Sequence, residues 1–208
     1  DQMQIGDQAY FTAAEENVRR ALQIFGHEEQ EARRVIVLGA GNIGLFVARE
    51  LEQNHPGVRV KIIEYRKERA EAAADQLSST VVLHGDALDL EILREANVSE
   101  TEAVVALTDD DEVNILASVL AKQGGAQRSI ALINNPGYWP LMRSLGIDAF
   151  IDPRATTVSK ILQHVRRGRI RGLYSMFEGA AEVLEAEALE TATLIGIPLR
   201  DANIPRGI

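Results

Sequence analysis

The chain has 208 residues, of which 46% are hydrophobic and 25% charged, a balance that excludes extended disorder and suits one sizeable globular domain plus pieces of others. It has no cysteine, which excludes disulfides, thiolate catalysis and Cys-based zinc sites and fits a cytosolic location. The net charge of −9 argues against nucleic acid as the main partner, and no apolar run approaches the length of a membrane span.

Residues 1–32 do not read as the start of a domain. There is no signal-peptide pattern, and the chain begins without Met, as a fragment would. Residues 9–13 suit a short strand and residues 15–25 a helix, with Val18, Leu22 and Phe25 on one face. Residues 26–33 are a polar connector. One strand and one helix cannot bury a core, so this segment is expected to be the tail of a preceding module.

From residue 33 the pattern changes. An apolar strand, Val35-Ile36-Val37-Leu38, runs into Gly39-Ala40-Gly41-Asn42-Ile43-Gly44. A helical run follows, then a second strand that ends Ile62-Ile63-Glu64. Strand, G-x-G-x-x-G turn, helix, strand and terminal acid make the pattern of a dinucleotide-binding βαβ unit. Each residue type has a physical role in it. Gly39 permits the sharp turn off the strand, Gly41 permits close approach of a pyrophosphate, and Gly44 permits close helix–strand packing. The helix start supplies unpaired N–H groups and partial positive charge. Glu64 suits the two hydroxyls of an adenosine ribose, and its charge disfavours a 2′-phosphate, which argues for NAD over NADP.

Strands and helices alternate through residue 152, which predicts a doubly wound α/β fold with a parallel six-stranded sheet. Residues 66–77 read as a helix with Arg66, Lys67 and Arg69 at its start. Residues 80–83 are the third strand, followed by Gly85-Asp86-Ala87, and Asp89 is placed to cap a helix over 90–96. Residues 103–107 are the fourth strand, followed by Thr108-Asp109-Asp110-Asp111-Glu112 and a helix over 113–123 that stops at Gly124-Gly125. Residues 129–133, 138–145 and 149–151 read as strand, short helix and strand. Ligands of such sheets sit beyond the carboxyl ends of the strands, so Asp86, Ala87, Thr108 and Asp109 join the glycine turn and Glu64 as candidate site residues. Helix capping competes for Thr108 and Asp109.

The acidic run lacks the spacing and glycine of a calcium loop. The four histidines, His27, His55, His84 and His164, have no second ligand at helical spacing. No metal site is therefore expected. Asp152-Pro153 opens a helix over 154–167, with Val158, Ile161, Leu162 and Val165 in one apolar stripe. That stripe suits either its own sheet or a second subunit. The basic run over 166–171 suits a solvated helix end or an acidic surface on a partner. Residues 173–178 and 181–188 read as strands, and residues 194–208 open a further unit that stops short.

The glycine turn, Ile62-Ile63-Glu64, Gly85-Asp86-Ala87, the string Ala106-Leu107-Thr108-Asp109-Asp110-Asp111-Glu112-Val113-Asn114 and the Ile195-Gly196-Ile197-Pro198-Leu199-Arg200-Asp201 segment together resemble the RCK (regulator of potassium conductance, or KTN) family over nearly the whole chain. The resemblance implies a Rossmann-like domain over 33–152, a crossover and dimerisation helix over 153–171, and a truncated α+β carboxy-terminal lobe over 172–208, with 1–32 ending a preceding repeat. It implies no enzyme, and hence no catalytic residues. The implied role is a cytoplasmic regulatory subunit, a dimer or higher ring, held at the inner face of the plasma membrane by a Trk-type potassium channel or transporter. It would bind NAD or NADH, with ATP or ADP as the alternative, and gate its partner by changing shape. By position, Gly39, Ala40, Gly41, Asn42 and Ile43 would hold the diphosphate beside Gly44, Glu64 the ribose, and Asp86, Ala87, Thr108 and Asp109 the rest. Some members carry a basic residue on the fifth strand near the phosphates; here that strand reads Ala131-Leu132-Ile133.

The rival reading is an NAD-dependent oxidoreductase, which needs a substrate domain and an acid/base beside the nicotinamide. Residues after the sheet supply only one histidine, His164. A nucleotide-sensing repressor would need a helix-turn-helix with a basic face, and none is legible.

Overall fold

Residue Ile36 is buried on one face of a strand and its neighbour Val37 on the other, and this double burial organises the architecture. The computed structural model describes residues 3, 11, 13–14, 17–26, 32–165, 170–176, 181–186, 188–192 and 194–198. The expected strand at 9–13, the basic run at 166–169 and the segment from 199 onward fall largely or wholly outside them. A short helix α1 (Val18–Ile24) precedes the sheet. Then come β1 (Arg34–Leu38), α2 (Asn42–Asn54), β2 (Arg59–Glu64), α3 (Lys67–Gln76), β3 (Val81–His84), α4 (Leu90–Glu95) and β4 (Ala103–Ala106). They are followed by α5 (Asp111–Gln123), β5 (Arg128–Leu132), α6 (Trp139–Met142), β6 (Ala149–Ile151) and α7 (Pro153–Val165), and by a hairpin of β7 (Ile170–Met176) and β8 (Ala181–Ala186).

Strands β1 to β6 form one parallel sheet in the order β3-β2-β1-β4-β5-β6. This is the doubly wound, Rossmann-like arrangement expected from the alternating pattern. Alternate residues of β1 point to opposite faces. Val35 and Val37 pack with Ala48 of α2 and Ala73 of α3, whereas Ile36 and Leu38 pack with Leu93 of α4 and Ala117 and Ala121 of α5. Alanines on the inner helix faces let those helices lie close to the β-branched strands. A third cluster, around Ile115, Ile133, Met142 and Ile147, fills the space under α5 and α6.

Helix ends follow the residues expected to make them, with shifts of one or two positions. Asp89 accepts from the Glu91 N–H at 2.8 Å, and Gly125, with φ +106°, turns the chain after α5. Asp152 accepts from the N–H groups of Arg154 and Ala155 at 2.8 and 3.2 Å, so α7 starts with Pro153 in its first turn, where a missing N–H costs nothing. The helix expected over 138–145 is shorter. Pro136–Tyr138 is a 3-10 turn and only Trp139–Met142 is α-helical; Gly146, at φ +75°, reverses the chain just beyond it. In α7 the stripe residues Val158 and Ile161 are 51% and 54% exposed, so they do not pack on the sheet. The hairpin β7–β8 is antiparallel. Among the described residues no helix is long and apolar enough to cross a membrane.

Glu52 on α2 locks the α3–β3 connection. Its carboxylate accepts from the N–H groups of Ser78, Ser79 and Thr80 at 3.1, 2.7 and 2.5 Å. Burial works to raise its pKa, but these bonds outweigh burial and hold the group at about 2, against an ordinary 4.5. A depressed carboxylate pKa adds stability that is present above the unfolded-state value and lost as pH falls toward the folded one. Thermal unfolding of the wild-type chain from about pH 5 to about pH 2 should therefore show a loss of stability that is smaller in Glu52→Gln. Equal pH slopes in the two proteins would remove Glu52 from the account.

Candidate functional site

The strand order reverses between β1 and β4, so the chain leaves these two parallel strands toward opposite faces and opens a crevice at their carboxyl ends. The glycine turn stands at that crevice. Gly39 has φ +98°, and a Cβ there would lie 3.1 Å from Thr108 Cγ2 and 3.2 Å from the Thr108 backbone. A Cβ on Gly44 would come within 2.0 Å of the Gly39 carbonyl oxygen. Folding alone accounts for both glycines. Gly41 differs: its φ of −68° is open to any residue, and a Cβ there meets nothing within 4 Å. Its missing side chain leaves open space on the cleft side, at the start of α2, where no side chain caps the helix. The first-turn N–H groups are thus unpaired donors in a positive field, as an anion requires.

Glu64 is 5% exposed. One oxygen accepts from the Ala40 N–H at 2.6 Å and the other from the Arg66 N–H at 2.9 Å. The Gly39 N–H donates to the Ile63 carbonyl at 2.8 Å, and the Gly85 N–H to the Glu64 carbonyl at 3.0 Å. The end of β2 therefore clasps the glycine turn on one side and the loop after β3 on the other. A carboxylate offers about four acceptor positions, so each Glu64 oxygen keeps one. Ala40's N–H is engaged by Glu64 rather than open to the crevice.

A cleft of about 610 Å³ runs across this region. Gly39, Gly41, Asn42, Ile43, Glu64, Asp86, Ala87, Thr108 and Asp109 line it. Ala40 and Gly44, also expected there, are buried behind the turn. Asp86 holds the Leu88 N–H at 2.9 Å with one oxygen. Several lining residues were not anticipated from the sequence: Tyr65, Arg66 and Arg69 at one end, and Asp110, Leu132, Asn134 and Pro153 at the other. Arg66 and Arg69 lie three apart at the start of α3, a spacing that does put both on one face. No local pattern connects Asn134 or Pro153 with the glycine turn; only the strand order does.

Two buried polar residues hold the β4–β5 end. Asn114, fully buried, accepts from the Thr108 N–H and hydroxyl at 2.9 and 2.7 Å, and donates to the carbonyls of Thr108 and Leu132 at 3.1 and 2.9 Å. Asp111 accepts from the Asn134 N–H, the Asn134 side chain and the Asn135 N–H. Burial acts to raise the Asp111 pKa, but those bonds, with the Arg154 charge, prevail and keep the carboxyl below its ordinary range. The helix cap belongs to Asp110, which accepts from the Val113 N–H at 2.9 Å, not to Asp109. Among the described residues no cluster of three or more His, Asp or Glu side chains could hold a metal ion.

The glycines make a direct comparison possible. Gly44→Ala should cost about 3 kcal/mol or more in chemical denaturation, because the new methyl meets backbone that cannot swing away. Gly41→Ala should change stability by no more than about 1 kcal/mol. Equal losses would mean that the space beside Gly41 is not open.

Comparison with known proteins fits this geometry. Residues 35–153 match the model of the TrkA-N domain. The chain is 56% identical over its whole length to the Trk system potassium uptake protein TrkA of Azorhizobium caulinodans, of which it covers 45%. It thus spans about half the length of the curated relatives it matches. Among solved structures, the GsuK channel bound to NAD superposes with a TM-score of 0.57 at 16% identity, covering 77% of this chain and 29% of that one. The Shewanella denitrificans Kef CTD in AMP-bound form gives 0.54 at 19% identity, covering 64% and 79%. These two likenesses concern the fold. With the family model spanning more than half of the chain, on the sheet and glycine turn just described, the chain belongs to the TrkA-N domain family.

Proposed function

We propose that this chain is the nucleotide-sensing part of a regulatory subunit of a potassium uptake system, and that the cleft binds NAD or NADH in order to report on it. The observation that carries this reading is the space beside Gly41 at the uncapped start of α2. The fold does not need a glycine there, whereas a diphosphate does. Asn42 and Ile43 would hold the phosphates with Gly41. Glu64 would accept the ribose hydroxyls on its two remaining acceptor positions, and Asp86 would face the adenosine. NAD would supply no chemistry in this role; its differential affinity for two shapes of the protein would shift their balance.

The regulatory role is supported by the relatives' naming as potassium uptake proteins. The proposed organisation is a nucleotide-binding domain over 33–152, an interface helix over 153–171 and part of a carboxy-terminal lobe over 172–208, preceded by the end of another repeat. Val158 and Ile161, exposed on α7, suit a contact with a second subunit, as a dimer or ring would need. The assembly would sit at the cytoplasmic face of a membrane transporter.

Calorimetry of this chain with NAD, NADH, ADP and ATP, with the mass measured in each state, tests the proposal. NAD should bind. Glu64→Ala should weaken it about tenfold or more, since a hydrogen bond to a charged group is worth about 1.5–3 kcal/mol. Unchanged NAD affinity in Glu64→Ala would sink the ribose assignment.

A further inference from the structure

The edge strand of a sheet presents unpaired N–H and C=O groups, to which any extended chain can bond. The two edges of this sheet are β3 and β6, and they are guarded unequally. On β6 the Ile151 carbonyl accepts from the Ile133 N–H of β5. Ile151 and Ala149 therefore face inward, and only Phe150 turns its backbone groups outward. The strand then ends at Asp152-Pro153, so it is too short to template another. On β3 the Gly85 N–H donates to the Glu64 carbonyl of β2. By alternation Leu83 and Val81 also face β2, and Val82 and His84 present their backbone groups to the open side. The strand reads Val81-Val82-Leu83-His84, with neither proline nor lysine to blunt it, and Val81 is 51% exposed.

Two helices flank the β3 edge, and their acids mark its shoulders. On α3, Gln76 accepts from Arg49 of α2 at 3.0 Å, so that side of the helix looks toward α2. The opposite flank, with Glu71, Ala74 and Asp75, looks toward the open edge. Lys67 lies 3.9 Å from Glu71 and offsets its charge. On α4, Ile92 packs at Gly85, where a Cβ would come within 2.7 Å of it, so Ile92 marks the flank toward β3. Glu95, three residues on, shares that flank, Glu91 adjoins it, and Arg94 points away. Asp75, Glu91 and Glu95 are all exposed. An apolar strand with open backbone groups thus runs between two acidic shoulders.

We propose that the β3 edge docks an extended basic segment of a partner protein, which adds to the sheet as a further strand. The open groups of Val82 and His84 supply the main-chain bonds, and lysine or arginine side chains of the segment reach Asp75, Glu91 and Glu95. A second copy of this chain is the wrong occupant. Pairing β3 with its own copy would bring the acidic shoulders together, in a chain whose net charge is −9. A basic segment reverses the sign of that term. The proposal does not depend on what the cleft binds. The two sites are nonetheless neighbours: the His84 ring bonds the Tyr65 carbonyl at 3.1 Å, and Tyr65 lines the cleft.

Amide NMR of the whole chain, titrated with the peptide Lys-Val-Lys-Val-Lys-Val, tests this. The peptide should bind, slow the exchange of the Val82 and His84 N–H groups, and bind more weakly as salt is raised. The peptide Glu-Val-Glu-Val-Glu-Val should bind about tenfold or more weakly. Val81→Lys should weaken the basic peptide about fivefold or more, because it sets like charge against the incoming strand. Leu116→Lys, an equal change of net charge at an exposed position of α5, should leave it unchanged. Failure of the basic peptide to bind overturns the proposal. So do equal binding of the two peptides, equal losses in the two variants, and binding that leaves Val82 and His84 unprotected. A dimer of the chain alone that is lost in Val81→Lys would overturn it in favour of self-pairing.

Discussion

The carboxylate of Glu64 holds the site together. It is buried at the end of β2, accepts from Ala40 on one oxygen and from Arg66 on the other, and so ties the glycine turn to the neighbouring strand. An ionised group costs several kcal/mol to bury unless its hydrogen bonds are made. Here two backbone donors meet it before any ligand arrives. The turn is thereby held in one shape, with Gly39 against Thr108 and Gly44 against Gly39. A ligand that meets a preformed turn does not have to order it, and that lowers the cost of binding.

The far side of the crevice is held by different means to the same effect. Asn114 ties the end of β4 to the end of β5 by bonding Thr108 and the Leu132 carbonyl. Asp111 ties the start of α5 to the loop after β5. Both residues lie on α5, so the first turns of one helix secure two strand ends. Removing either would strand buried polar partners, the costly kind of change. The crevice is thus framed by Glu64 on one wall and by Asn114 and Asp111 on the other, with the open space at Gly41 between them.

Much of this was legible in the chain because it depends on local chemistry. The strand–turn–helix at 34–54 and the acid at Glu64 follow from hydrophobic pattern and glycine placement, which act over a few residues. The double-faced burial of β1 follows from a continuous apolar run. What could not be read is non-local. Asn134 and Pro153 reach the cleft only because β5 and α7 happen to lie beyond β4 in the sheet order. Tyr65, Arg66 and Arg69 do so only because α3 starts at the crevice edge. The end of the helix at 138–145 was misjudged because the apolar pattern ran on past Met142, where the chain already turns toward Gly146. Asp109 was read as sharing the cap of α5, and the register of a single residue gave that role to Asp110.

That one-residue difference matters for the acidic string as a whole. Four successive acids at the start of a helix repel one another, and the positive helix end offsets only part of the repulsion. The fold deals with three of them by separate local bonds: a cap, a pair of asparagines and a tyrosine hydroxyl. It leaves Asp109, the one nearest the end of β4, facing the crevice. Each of the three bonded acids also fixes a piece of the far wall, so their charges are spent on structure. A charge with no structural partner at the rim of a preorganised cleft is free to respond to whatever the cleft contains, without any cost to the fold when that content changes.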